Sequence, residues 1–350
     1  YAERLSIYSP LLSNISKSEI EDMVRKISYA KTETAVVIED DDDYLVVIYF
    51  NFVTYFGDEI NDADVVSDYG YSFNRHAGKG ARYHDIIGDI HANADALEDL
   101  LKGLGYRRKF GVYQCKNRYA VFLGDFIDRG NSHKRVIDIV RPMVEQDYAT
   151  AVMGNHEFNA VGYHTVGKNG KPLREHSDSN EIQHKDFLAE YPLGHEETVS
   201  VINWFKTLPL FLHGEGYRVI HACWEPDSIE SIKTMLTKNN QLKGEFIEAA
   251  FQKGSTLYDA IEILMKGMEM KLPDGITFRD LTDKERDKVR VKWWVPPEQV
   301  DNFAQIALVE DEVRKSLVDI EVSGNDKTLG YMNNVPPVFI GHYQLAEEPE

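Results

Sequence analysis

Five short apolar runs in this chain each end on a residue able to bind a metal, and no other feature limits its fold as much. Asp85-Ile86-Ile87 leads into Gly88-Asp89-Ile90-His91, and Ala120-Val121-Phe122-Leu123 into Gly124-Asp125. Ala149 to Met153 leads into Gly154-Asn155-His156-Glu157. Tyr217-Arg218-Val219-Ile220 leads into His221, and Pro337-Val338-Phe339-Ile340 into Gly341-His342. Apolar runs of this length read as buried strands. Helices are predicted between them, over Ala94 to Leu104 with Leu97, Leu100 and Leu101 on one face, and near His133 to Glu145. The pattern predicts an α/β fold, in which functional groups gather where strands end and loops begin.

The terminal residues can be read for their ligand chemistry. Asp89 and His91 are two apart, so in extended backbone both point to one side and a single ion could take both. Asp125 ends the second run and is the natural bridging carboxylate. Asn155 offers a neutral carbonyl oxygen, and His221 and His342 offer imidazole nitrogens for a second ion. Phosphate ester hydrolysis needs a nucleophilic oxygen, neutralised equatorial charge and a protonated leaving group. Two divalent ions about 3.5–4 Å apart supply the first two. Mixed imidazole and carboxylate ligation suits Mn, Fe, Zn or Co better than Ca. One such residue alone would count for little, but six after five successive apolar runs point to a dinuclear site.

Three of these segments carry more than ligands. Gly88-Asp89-Ile90-His91, Gly124-Asp125-Phe126-Ile127-Asp128-Arg129-Gly130 and Gly154-Asn155-His156-Glu157 resemble the three signature motifs of the calcineurin-like metallophosphoesterases. Asp-Arg-Gly in the second motif, with Asn-His-Glu in the third, is most similar to the phosphoprotein phosphatase branch. That branch includes the symmetrical diadenosine tetraphosphate hydrolases and bacterial relatives of both. His221-Ala222 resembles the fourth motif and Gly341-His342 the fifth. The resemblance implies a β-sandwich flanked by helices, in four layers α/β/β/α. It implies that Asp89, His91 and Asp125 hold one divalent ion, and Asp125, Asn155, His221 and His342 the other, with Mn the first choice and Fe, Zn, Co or Mg the alternatives. It also implies that His156 is the general acid, that Asp128 orients its imidazole and fixes the tautomer, and that Arg129 clamps phosphate oxygens. Ala92 stands where the family commonly has Gly.

Residues 1–80 read differently, as an N-terminal α+β extension. Ser16 to Ile27 has a capping-box start, with Glu19 three residues after Ser16. Ala35 to Ile38 and Tyr44 to Phe52 are β-rich around the acidic stretch Glu39 to Asp43, a solvated turn that lacks the Gly and terminal Glu of a calcium loop. Gly78-Lys79-Gly80 reads as a linker, and 81–350 as the phosphoesterase domain. A mainly helical cap or insert is expected at about 227–330, with helices over Ile229 to Leu236, Glu245 to Phe251 and Leu257 to Lys266. Residues 163–200 read as a polar loop, with His164, His176, His184 and His195 facing solvent, before a helix near Thr198 to Lys206. Glu157 reads as structural, and Trp293-Trp294 as packing the insert on the core. Tyr1 is no initiator Met and the chain stops eight residues after His342. Either a C-terminal piece is missing or the N-terminal β segment takes its place in the sheet.

The net charge of −19 opposes nucleic-acid coating, which needs basic patches, though two divalent ions can reverse the local field for an anionic substrate. Two cysteines make no disulfide framework, and neither a signal peptide nor a bilayer-length apolar run is visible, so a cytoplasmic protein is expected. The leading functional expectation is hydrolysis of phosphomonoesters, including phosphoserine or phosphothreonine in a phosphoprotein, by in-line attack of a hydroxide bridging the two metals. The alternative is a nucleotide pyrophosphohydrolase acting on dinucleoside polyphosphates such as diadenosine tetraphosphate. A non-catalytic binding module ranks below both. Residues 1–80 are the candidate surface for a protein partner.

Overall fold

Period-two alternation along the central strands settles how the layers stack. In a computed structural model, which describes residues 34–40, 43–49, 83–214, 216–279, 285–322, 328–331 and 335–343, a larger sheet is formed by five strands. These are β1 (Thr34–Asp40), β2 (Asp43–Tyr49), β3 (Tyr83–Ile87), β4 (Arg118–Phe122) and β5 (Ala149–Ala151), lying side by side in that order. β1 and β2 pair antiparallel; β2–β3, β3–β4 and β4–β5 are all parallel. A smaller sheet holds β6 (Phe211–His213), β7 (Arg218–Ile220) and β8 (Val338–Phe339), with β7 central, antiparallel to β6 and parallel to β8.

Successive strand residues point to opposite faces of a sheet. Ile86, Val121, Val152, Val219 and Phe339 share one core cluster between the two sheets. Their neighbours Ile87, Ala120, Phe122 and Ala151 belong to a second cluster with the helices. That cluster takes in α1 (Ala94–Gly103), which buries Leu97, Leu100 and Leu101, and α2 (His133–Glu145), which buries Val136, Ile137, Val140 and Met143. Each fully buried Leu contributes about 1.5–3 kcal/mol relative to exposure. The result is a mixed α/β sandwich of the metallophosphoesterase kind, as the resemblance implied.

Beyond β5 the chain runs through α3 (Asn155–His164), α4 (Asp178–Glu190) and α5 (Glu196–Phe205) before the second sheet. The segment from Pro226 onward opens with α6 (Pro226–Ile232) and a short 3-10 turn at Lys233–Met235, where one helix over Ile229 to Leu236 was expected. Expected helix Glu245 to Phe251 is instead two 3-10 turns, Gly244–Phe246 and Ala249–Phe251; α7 (Thr256–Lys266) matches expectation. The remainder adds two two-stranded sheets, and a separate small core forms around Met270, Val289, Phe303 and Leu317. Phe251 stacks on Phe158 of α3 at 4.3 Å between ring centroids, which fixes this segment to the helix that begins with Asn155. Trp293 is fully buried and donates from Nε1 to the Ala222 carbonyl at 3.1 Å, so it packs its segment against the core. The helix expected over Ser16 to Ile27, the linker at 78–80 and turn residues 41 and 42 lie outside the described residues.

Candidate metal centre

Parallel pairing brings the strand ends to one edge. Ile87 pairs with Phe122, and Phe122 with Ala151; in the other sheet Phe339 pairs with Val219. Backbone bonds tie the loops after β3 and β4 to each other, and likewise those after β7 and β8. The Ile90 and His91 N–H groups donate to the Asp125 carbonyl at 3.0 and 2.9 Å, and Gly341 N–H donates to the His221 carbonyl at 2.8 Å. The Glu157 carboxylate, fully buried, accepts from the N–H groups of Asp125 and Phe126 at 2.8 Å and of Gly154 at 3.0 Å. This is the structural role expected of it. Six ordinary residues in these loops have positive φ: His91 (46°), Ala92 (54°), Asp125 (52°), Asp128 (67°), Arg129 (64°) and His342 (70°). Such conformations cost of order 1–3 kcal/mol each and persist only where the surroundings enforce them. Gly154 has an ordinary φ of −89°, but a Cβ there would run into the Asp125 side chain and backbone.

The six residues singled out from the strand ends come together. Asp89 and His91 do so through a left-handed turn rather than the extended backbone expected, with His91 Nε2 3.9 Å from Asp89 Oδ2. Asp125 Oδ2 lies 3.9 Å from His91 Nε2, 3.9 Å from His156 Nε2 and 3.4 Å from His221 Nε2. Asn155 Oδ1 lies 3.0 Å from His221 Nε2 and 2.7 Å from His342 Nδ1. The ligand atoms of His91, Asp125 and His156 all lie within 4.8 Å of one another, as do those of Asp125, His221 and His342. Asp125 is thus common to two groups.

The donor chemistry fits two cations. His91 Nδ1 donates to the Ile127 carbonyl at 3.1 Å, and His221 Nδ1 to the Leu123 carbonyl at 2.7 Å. Each bond keeps a proton on Nδ1 and leaves Nε2, on the Asp125 side, as the nitrogen that could offer a lone pair to a cation. His91 Nε2 and His342 Nε2 are buried with no hydrogen-bond partner among the described residues. Burial and the neighbouring Asp125 carboxylate push Asp89 up to about 7, and burial pushes His91 down to about 4. Burial also opposes charge on His221, but Asp125 and Asp89 outweigh it and push the imidazole up to about 9.

Beside this cluster His156 opens α3, and its Nδ1 donates to Asp128 Oδ2 at 2.6 Å. Burial disfavours ionised Asp128, yet hydrogen bonds from His156 and His184 outweigh it and hold the carboxyl well below its usual range. Burial likewise opposes charge on His156, but the Asp125 charge and the Asp128 bond push it up. Arg129 follows with its side chain exposed.

The polar loop expected over 163–200 contains a helix, α4, and two of its histidines, His184 and His164, do not face solvent as the sequence reading expected. His184 is buried, 1% exposed, and its Nδ1 donates to Asp128 Oδ1 at 2.8 Å. His164 is half-buried against it, and His176 stacks on Tyr163; only His176 and His195 are exposed. Sequence reasoning also passed over His133 and Glu190. His133 is buried; its Nε2 accepts from the Asp128 N–H at 3.1 Å, and its Nδ1 donates to Glu190 Oε1 at 2.7 Å. Only His184 and Phe187 of α4 are buried, three positions apart, a helical spacing that was the available signal.

With this geometry in place, comparison with known proteins decides the family. The calcineurin-like phosphoesterase family model matches residues 85–324, more than half of the chain. The chain belongs to the calcineurin-like phosphoesterase family. It is therefore a hydrolase of phosphoester bonds, in a family that depends on two metal ions. The bis(5'-nucleosyl)-tetraphosphatase PrpE [asymmetrical] of Oceanobacillus iheyensis is 33% identical over 175 residues, 46% of this chain and 64% of the relative. The protein of the same name from Bacillus subtilis is 40% identical over 151 residues, 42% of this chain and 59% of the relative. The matches thus span less than two thirds of these relatives' own length. Among solved structures, a protein serine/threonine phosphatase from Saccharomyces cerevisiae with similarity to human phosphatase PP5 aligns at 17% identity, over 47% of this chain and 46% of that one, with a TM-score of 0.31.

Proposed function

We propose that this chain hydrolyses the phosphoanhydride of dinucleoside polyphosphates at a dinuclear centre whose shared ligand is Asp125. The observation that carries the centre is the position of Asp125 Oδ2, 3.4–3.9 Å from imidazole nitrogens of His91, His156 and His221 at once. Asp89, His91 and Asp125 would hold one ion and Asp125, Asn155, His221 and His342 the other, Mn being the first choice for both. Two divalent ions, when bound, supply charge neutralisation and an activated water for in-line displacement. His156 Nε2 would protonate the leaving oxygen, with Asp128 holding the ring through Nδ1. Arg129, exposed at the rim, would hold phosphate oxygens with its planar fork.

The substrate class rests on the relatives, which are named as asymmetrical bis(5'-nucleosyl)-tetraphosphatases. This reverses the order drawn from the sequence, which placed phosphomonoesters first, because the motifs are common to both reactions and do not separate them. A cytoplasmic location, a phosphoesterase domain over 81–350 with an insert at about 227–330, and a partner surface in residues 1–80 belong to the same proposal. Two free cysteines support the first, and no described helix is long and apolar enough to cross a membrane. The β2–β3 pairing supports the other reading, in which the N-terminal β segment extends the main sheet.

The test is a panel of diadenosine tetraphosphate, para-nitrophenyl phosphate and a phosphopeptide, on metal-stripped protein resupplied with Mn, Co, Zn or Mg. Diadenosine tetraphosphate is expected to give the highest kcat/KM, with cleavage into a nucleoside monophosphate and a triphosphate. A preference for the phosphopeptide would return the monoester reading to first place, and full activity without metal would end both. Asp125→Ala should lose metal and activity together. His156→Ala should keep the metals and lose about 10²–10⁴ in turnover.

A further inference from the structure

The Asp128–His156 pair does not end at Asp128. Its second carboxylate oxygen, Oδ1, accepts from His184 Nδ1 at 2.8 Å, and His184 Nε2 lies 3.1 Å from His164 Nε2. With its proton on Nδ1, His184 can accept at Nε2 from the His164 Nε2–H. Burial and the neighbouring His184 push His164 down to about 4, in keeping with a neutral ring. His164 is the last residue of α3 and His156 its second, so the bonds close a loop on one helix. A second route reaches the backbone of the same residue. Glu190, at the end of α4, accepts from the His133 and Lys134 N–H groups at 2.9 Å and from His133 Nδ1 at 2.7 Å, and His133 Nε2 accepts from the Asp128 N–H. α4 therefore grips Asp128 by side chain and backbone.

We propose that His184, backed by His164, is a positioning residue: it fixes the plane of the Asp128 carboxylate so that His156 keeps its proton on Nδ1 and aims Nε2 at the leaving oxygen. This rests on the reading of His156 as general acid. A carboxylate held at one oxygen is free to swing about χ2, and Asp128 sits on strained backbone with φ 67°. Anchoring the second oxygen removes that freedom. In the step served, the His156 imidazolium gives its Nε2 proton to the leaving oxygen and ends neutral, its remaining proton held by Asp128 Oδ2. His184 touches no reacting atom.

The experiment compares His184→Phe and His184→Asn with His156→Ala in the full metal-loaded chain, on aryl phosphates whose phenols range from acidic to weakly acidic. Phe keeps the stack on Phe187, 4.6 Å between centroids, and loses both hydrogen bonds; Asn keeps a donor near the Nδ1 position. For His184→Phe, kcat is expected to fall about 10-fold or more on the weakly acidic leaving group and little on para-nitrophenol, with KM unchanged, because only the former needs a proton delivered. His184→Asn should recover part of the loss; equal losses in both variants, or a loss independent of the leaving group, would reduce His184 to a packing residue. If His156→Ala shows no dependence on the leaving group, the general-acid reading itself fails. If His156→Ala shows it and His184→Phe does not, only the present inference falls. Ring ¹⁵N shifts of the wild-type protein give a readout independent of turnover and of any variant's folding. The proton is expected on Nδ1 of both His156 and His184, and an Nε2-protonated His184 overturns the proposal.

Discussion

Removing the metals should destabilise the protein by an amount that grows with pH, and the structure sets both sign and size. Asp89 and His221 must give up protons to coordinate a cation, yet in the metal-free fold they are pushed up to about 7 and about 9. In an unfolded chain they titrate near 3.8 and 6.5. Both are raised groups, so the stability they confer is complete below the unfolded values and is lost as pH rises through the folded ones. Between about pH 6.5 and 9 the metal-free protein should therefore weaken steadily, chiefly through His221. Cations displace the same protons: at pH 7 half a proton from Asp89 and nearly a whole one from His221, about 1.5 together, falling toward about 0.5 at pH 9. At a hundredfold excess over Kd each ion adds about 2.7 kcal/mol. With about 2–4 °C per kcal/mol for a large domain, two ions should raise Tm by about 10 °C or more. Titration calorimetry in two buffers of different ionisation enthalpy counts the protons, and thermal melts with and without Mn at pH 6.5 and 9 give the shift. Asp125→Asn should abolish it. No proton release, or a Tm gain that shrinks as pH rises, would refute the reasoning.

Three further outcomes are expected. Gly154→Ala should cost about 1–3 kcal/mol by overpacking and weaken metal binding, since its methyl meets the Asp125 side chain; unchanged metal affinity would argue that the loop yields freely. Arg118→Ala should cost about 3–5 kcal/mol in urea unfolding, because among the described residues it leaves the fully buried Asp85 carboxylate the Tyr106 hydroxyl at 2.8 Å as its side-chain hydrogen-bond donor. Burial has already raised Asp85, so that deficit should shrink at low pH as the carboxyl takes up a proton; a deficit independent of pH would count against the account. Glu157→Leu should lower both stability and metal content, as it strands three buried N–H groups of the Asp125 and Gly154 loops, and melting plus metal analysis will show whether it does.

How much of this was legible in the sequence depended on whether a residue's position follows from local pattern. Asp89, Asp125, Asn155, His221 and His342 sit at the ends of apolar runs, and parallel pairing then carries them to one edge. α2 was legible too, because Val136, Ile137, Val140 and Met143 recur at helical spacing. α4 was not. Its buried face is only His184 and Phe187, so its polarity read as a loop. The expected helix over Glu245 to Phe251 failed for a related reason: good helix formers on a segment that tertiary packing divides into two short turns. Substrate class was not legible because the motifs hold metal and phosphate, whereas discrimination lies in what surrounds them.

The strain in the ligand loops explains why the surrounding residues are as demanding as the ligands. Six non-glycine residues with positive φ, at of order 1–3 kcal/mol each, rival the whole net stability of a domain, about 5–15 kcal/mol. Packing must offset that strain where it arises. Around Asp125 the offset is the Glu157 carboxylate taking three N–H groups and the close approach of Gly154. Around Asp128 it is His133, His184 and Glu190, two of them supplied by α4. The three around Asp128 lie outside the signature motifs, since each answers to a neighbour in space. Without metal, burial and the adjacent Asp125 push Glu157 up to about 7, so the clamp on the second loop is itself weakened by the charge it organises. A cation at Asp125 would remove that repulsion and strengthen the clamp, which would couple metal occupancy to the rigidity of the loop that presents Asp128.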